Sequence, residues 1–135
     1  MDLVAAVADI VQVVPRRTNL TDRLAEFRFE PPNDGAAAIS LFVSSSEVVF
    51  CAGVGARVEL DAPGRAGDDV LELASSVAGG RFTEVIGRHR VRFSLDRPDG
   101  TTIASGSVSR RALAQASIGT HRYAPYQRST GDGIG

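Results

Sequence analysis

Ala38-Ile39-Ser40-Leu41-Phe42-Val43-Ser44-Ser45-Ser46-Glu47-Val48-Val49-Phe50-Cys51-Ala52 is the stretch on which the fold turns. It reads as two short strands about a serine turn. In the first, Ile39, Leu41 and Val43 alternate with Ala38 and Phe42, so apolar side chains fall on both sides. The second, Val48 to Ala52, is apolar on both sides as well. Such strands belong in the middle of a sheet, covered on both faces or covered on one and engaged by a partner on the other. Phe42 and Val49 are therefore candidate docking residues.

The flanks carry a different pattern. Upstream, Leu24 to Glu30 alternates Ala25, Phe27 and Phe29 with Glu26, Arg28 and Glu30, the signature of a half-buried strand. Pro31-Pro32-Asn33-Asp34-Gly35 then breaks the chain. Downstream, Gly53-Val54-Gly55 makes a turn, and Ala56, Val58 and Leu60 alternate with Arg57, Glu59 and Asp61. Residues 2–14 fit an amphipathic helix with Asp2 as N-cap and Pro15 at its end. Arg16 to Asp22 reads as a polar linker. A second helix runs from Asp68 as N-cap through Ala78, with Val70, Leu71, Ala74 and Val77 as its apolar stripe and Gly79-Gly80 as its stop.

Further along, Phe82 to Ile86 and Arg90 to Leu95 read as extended with a bend at Gly87. Pro98-Asp99-Gly100 predicts a three-residue hairpin loop closed by Arg97 and Thr101, which places Leu95 opposite Ile103. Thr101 to Val108 is the returning strand. A short helix is expected from Arg110 to Ser117. Residues 120–135 read as a mobile tail, in which His121 to Arg128 combines aromatics, Arg and Pro in the manner of a docking peptide or of a frayed end.

The expected architecture is a single α+β domain over residues 1–119, built on a mainly antiparallel sheet of about six strands in the order α-β-β-β-β-α-β-β-α, with the helices packed on the sheet. That order is similar to small secretion-chaperone-like domains and to some bacterial toxin-immunity proteins. The likeness is architectural and transfers no residue.

Charge is divided along the chain. Residues 1–80 hold six Arg against twelve acids, and residues 81–128 hold nine Arg against three, within a net charge of −1. Two such segments of one domain can neutralise each other, or they can mark partner surfaces. All 15 basic residues are Arg, which suits either bidentate recognition or the codon usage of a GC-rich bacterial genome. Cys51 is the lone cysteine, so no intrachain disulfide forms, and a reducing cytoplasm suits the chain. Leu3 to Ala8 lacks a basic flank and is too short to span a bilayer, so no membrane association is expected.

Arg88, Arg90 and Arg92 fall on one face of their strand and His89, Val91 and Phe93 on the other. The Arg stripe either binds an acidic partner, a phosphate or nucleic acid, or pairs internally with Glu26, Glu30, Glu59 or Asp61, and internal pairing is the favoured expectation. Nucleic acid is disfavoured because Lys and interleaved aromatics are missing. His89, facing inward, is a core-edge residue or stands at the mouth of a pocket between sheet and helix.

His89, His121 and Cys51 have no metal-ligand spacing, and Asp68, Asp69 and Glu72 complement a helix start. The chain has no Gly-x-Ser-x-Gly elbow. No cofactor and no metal are expected. The function expected is a non-enzymatic protein-binding domain, a chaperone-like or immunity-like adaptor, with self-association as one form. The alternatives are a small-ligand binder or enzyme with a pocket near His89, and nucleic-acid binding through the Arg-rich second part.

Overall fold

The computed structural model describes residues 2–61, 63–110 and 117–127, the side chains of 63–66 excepted. Among these residues the fold is α+β. Its helices are α1 (Leu3–Val11) and α2 (Pro63–Ala78), and its strands are β1 (Arg16–Thr21), β2 (Leu24–Phe29), β3 (Ile39–Val43), β4 (Glu47–Ala52), β5 (Ala56–Asp61), β6 (Phe82–Ile86), β7 (Arg90–Asp96), β8 (Thr102–Ser109) and β9 (Gly119–Arg122). The strands form two sheets: sheet A, in the order β1-β2-β3-β4-β5, and sheet B, in the order β8-β7-β6-β9. Every pairing in both is antiparallel.

Sheet A is a meander, and its register sorts the two apolar strands at its centre. Ile39 pairs with Ala52 and Leu41 with Phe50, and all four are buried in the core. Helix α2 packs against β3, β4 and β5 on this inner face and also meets β7 and β8, while α1 stacks on α2. Val70, Leu73, Ala74 and Val77 of α2 are buried, with Val7 and Val11 of α1 beside them in the cluster. An amphipathic helix laid over the inner face thus removes the larger apolar surface from water.

Several boundaries differ from the sequence reading for local reasons. Asp2 does cap α1, accepting from the Ala5 amide at 3.1 Å, but the helix stops at Gln12 in a left-handed conformation (φ 57°) rather than at Pro15. Helix α2 starts at Pro63, ahead of Asp68, because proline suits a first helical turn whose amides have no partner. Gly79 and Arg81 donate to the Ser75 and Ser76 carbonyls and close it as expected. The segment Arg16–Thr21, read as a linker, is instead the wholly exposed edge strand of sheet A. Its two Arg and the register break between Asn19 and Thr21 guard an open edge against pairing with other chains.

The bend at Gly87 is a full reversal. The Gly87 amide donates to the Arg90 carbonyl at 2.8 Å, and Arg88-His89 forms the tip; this reversal, together with β1 and β9, takes about six expected strands to nine in two sheets. The Pro98-Asp99-Gly100 loop closes as predicted, with the Arg97 amide donating to the Thr101 carbonyl at 2.7 Å and Gly100 at φ 90°. A bulge follows it, and Leu95 stands opposite Ala104, not Ile103.

The expected tail boundary at residue 120 is corrected for residues 120–127. Strand β9 pairs with β6, Ala124 donates to the Gly35 carbonyl, and Tyr126 donates to that of Ala78. The Tyr126 ring is buried, and its hydroxyl donates to the Ala37 carbonyl. Residues 128–135, and all of the expected helix from Arg110 to Ser117 except its two ends, lie outside the described residues.

Candidate functional site

With both helices on the inner face, no helix among the described residues packs on the outer face of sheet A. Register places Arg16, Arg28, Ser40, Cys51 and Arg57 in one row across the five strands, and Thr18, Glu26, Phe42, Val49 and Glu59 in the next. At the centre Phe42, Val49 and Cys51 make an apolar strip. Val49, flanked in register by Phe42 and Glu59, is only 5% exposed. Phe42 and Cys51 are half-buried.

Charges rim the strip. Arg57 pairs with Glu59 at 3.1 Å, and Arg28 and Arg16 both pair with Glu30. Ser40 donates to the Glu26 carboxylate at 3.1 Å. These exposed pairs add little stability, about 0 to 1 kcal/mol each. Burial raises the Cys51 thiol pKa, with Arg57 lowering it and Glu26 adding to the rise, which keeps the thiol protonated and slow to react.

The outer face of sheet B is of another kind. Arg90 and Arg92 of β7 share it with Ser94, with Thr83 and Val85 of β6, with Ser105, Ser107 and Ser109 of β8, and with Thr120 and Arg122 of β9. The carboxylate beside them is that of Asp96 at the end of β7, which accepts from the Ser94 hydroxyl at 2.8 Å and the Thr102 hydroxyl at 3.1 Å. Arg90 is held flat by hydrogen bonds to Ser107, Nε to Oγ at 2.6 Å and Nη2 to the carbonyl at 3.2 Å, while Arg92 and Arg122 are exposed.

The expected pairing of this stripe with Glu26, Glu30, Glu59 or Asp61 does not occur. Those acids belong to sheet A, and the ion pairs that form there use the local Arg residues. Arg88 is also off the stripe, because it sits in the β6–β7 turn. His89 occupies the same turn and is exposed, not inward-facing. The reversal that interrupts strand alternation there explains both corrections. Arg122 is the residue that the sequence reading missed on this face, since it lies in a segment read as tail.

The inner face of sheet B holds a buried acid. Glu84 lies between Phe82 and Ile86 and is fully buried. Its carboxylate accepts from the Val54 and Gly55 amides, both at 2.7 Å, from the Ala56 amide at 3.1 Å and from the Tyr123 hydroxyl at 2.5 Å. The successive amides of Val54, Gly55 and Ala56 thus form an anion-binding nest filled by the chain's own carboxylate, and Gly53 (φ 59°) has no room for a Cβ beside Glu84. Burial, with the Glu84 carboxylate next to it, holds the Tyr123 phenol far above the ordinary tyrosine range. A Glu at an inward position between Phe82 and Ile86 is the sequence signal that flags this brace.

Two recesses lie among the described residues. A groove of about 880 Å³ opens beside the β1–β2 hairpin, with Phe27 and Val43 on its floor and Arg17, Asp22, Arg23 and Ser44 around it. The Arg17 guanidinium lies over the Phe27 ring, 5.5 Å from its centroid. A smaller one of about 230 Å³ lies between Ile10, Ser75, Arg81 and Gln127. His89 lines neither, so the pocket expected beside it is not at these places.

Among the described residues no three His, Cys, Asp or Glu side chains converge as metal ligands. Glu72, one of the acids at the expected helix start, instead pairs with Arg97 at 2.8 Å. No helix among them is long and apolar enough to cross a membrane. No protein-family model, curated protein or solved structure matches the chain.

Proposed function

We propose that this chain is a non-enzymatic protein-binding domain whose partner docks on the outer face of sheet A. One observation carries the reading: both helices pack on the inner side, and among the described residues no helix packs over the strip Phe42, Val49 and Cys51. A continuous apolar strip with a charged rim is the anatomy of a docking surface. The groups best placed for proton transfer, Glu84 and Tyr123, are engaged with each other and with backbone amides inside the fold, which favours binding over catalysis.

The test compares the immobilised chain with its Phe42→Arg variant, in which Glu26 directly opposite accommodates the new charge. Proteins that the wild type retains from a lysate and that the variant loses are the expected result. Identical sets on both supports, with both forms folded by circular dichroism, overturn the reading.

A second reading rests on the outer face of sheet B, rich in Arg and hydroxyls, where the Asp96 carboxylate at the end of β7 is engaged by Ser94 and Thr102. Arg92 and Arg122, with the hydroxyls between them, suit an acidic protein segment, because an extended chain spaces alternate carboxylates about 7 Å apart, as Arg90 and Arg92 are spaced. The balanced total charge and the lack of aromatics on this face count against nucleic acid. Binding of a glutamate-rich peptide that persists unchanged in Arg92→Glu would remove this reading.

A further inference from the structure

We infer that the partner for the outer face of sheet A is a second copy of this chain, related by a two-fold axis that runs across the strands between the two rows. This rests on the docking reading above and names its occupant. The basis is the order of charges. One row carries only cations at its charged positions, Arg16, Arg28 and Arg57, and the row beside it carries only carboxylates, Glu26 and Glu59. The members of each Arg–Glu pair share a strand: Arg28 and Glu26 in β2, Arg57 and Glu59 in β5.

Rotation about an axis lying in the interface, along the gap between the rows, exchanges the rows and keeps each strand over its own counterpart. Arg28 of one copy then lies over Glu26 of the other, and Arg57 over Glu59. The apolar centre follows the same operation. Cys51 comes over Val49, and Ser40 over Phe42. Glu30, one step beyond the cationic row, falls over Leu24, which occupies the corresponding step beyond the acidic row. The operation sets no carboxylate of these rows over a carboxylate and no guanidinium over a guanidinium.

An isologous interface requires this self-complementarity, and few arrangements of five charges satisfy it. Two sheets packed face to face keep their strands within about 30° of each other, so the central pairs, Cys51 with Val49 and Phe42 with Ser40, match best and the rim pairs adjust through their long side chains. The face spans roughly 20 Å across its strands and about 17 Å along them. That lies below the roughly 1,200 Å² of total area at which standard interfaces begin and matches a weak, transient contact, so dimers are expected toward the top of the concentration range tested.

Charge reversal tests the geometry. In Arg28→Glu/Arg57→Glu both rows become acidic, and in Glu26→Arg/Glu59→Arg both become cationic. By sedimentation velocity from 1 μM to several hundred μM, roughly the range a small interface demands, the wild type is expected to pass from monomer to dimer. Each double variant alone should associate at least tenfold more weakly, and an equimolar mixture should regain dimers near the wild-type concentration. Circular dichroism and thermal melts confirm that each variant is folded.

A wild type that stays monomeric throughout overturns the inference, as does a dimer indifferent to both variants or a mixture that fails to recover. A monomer that still loses captured proteins on Phe42→Arg defeats the self-association alone and leaves the docking reading standing. Failure of both experiments together removes both.

Discussion

The two sheets handle their carboxylates in opposite ways. Sheet A keeps Glu26, Glu47, Glu59 and Asp61 on its outer face beside Arg28 and Arg57, around an apolar strip. Sheet B carries mostly Arg and hydroxyls outward, with Val85 among them and Asp96 engaged by Ser94 and Thr102 at the end of β7, and it turns Glu84 into the core, onto the amides of the β4–β5 turn. An exposed acid beside a row of opposite sign costs little and is free to recognise something. A buried one is a brace, valuable to the fold and closed to a partner. The difference separates residues whose replacement should change stability from residues whose replacement should change association.

Glu84→Ala is the sharpest way to break that contrast. It leaves the Val54, Gly55 and Ala56 amides and the Tyr123 hydroxyl without their acceptor, and a loss of about 3 to 5 kcal/mol is expected in urea unfolding. A loss below about 1 kcal/mol would mean that Glu84 is no brace.

Tyr123→Phe removes one of the four donors and should cost about 1 to 2 kcal/mol. The same phenol sets an alkaline limit. Its folded pKa is raised, by burial first and Glu84 second, so its contribution is complete below the unfolded value of about 10 and is lost as pH climbs toward the folded value. Tyr126, raised by burial above all, adds in the same direction. Stability measured from pH 8 to 11 should fall above about pH 10, and less steeply in Tyr123→Phe. An identical slope in the variant would contradict the assignment.

On the outer faces the expected stability changes are smallest. Arg92→Glu, on the open face of sheet B, should stay within about 0.5 kcal/mol of wild type in urea. A larger loss would show that the cationic face of sheet B is structural after all.

How much of this was legible beforehand follows from where the periodic signal was strong. The strands from Leu24 to Asp61, the Asp2 cap, the Gly79-Gly80 stop and the Pro98-Asp99-Gly100 loop all carry local chemistry that sequence displays, and Phe42 and Val49 do share the outer face. Arg16–Thr21 was missed because an edge strand exposed along its whole length has no alternation to read. The Arg88-His89 reversal was missed because neither residue is a turn former, and that single error displaced Arg88 and His89 from their expected faces. Strand β9 and Tyr126 were missed because their anchors are distant: β6 pairs with the strand, and Asn33, Gly35 and Ala37 hold residues 124–126 across the fold. The charge rows of sheet A needed register, which no single strand contains.

Cys51, the chain's one thiol, sits inside the proposed contact and reports on it directly. Its alkylation rate at pH 8.5 should fall severalfold as the wild-type concentration rises through the association range, and should remain constant in Phe42→Arg. A wild-type rate that is independent of concentration and unchanged by any retained partner would contradict docking on the outer face of sheet A.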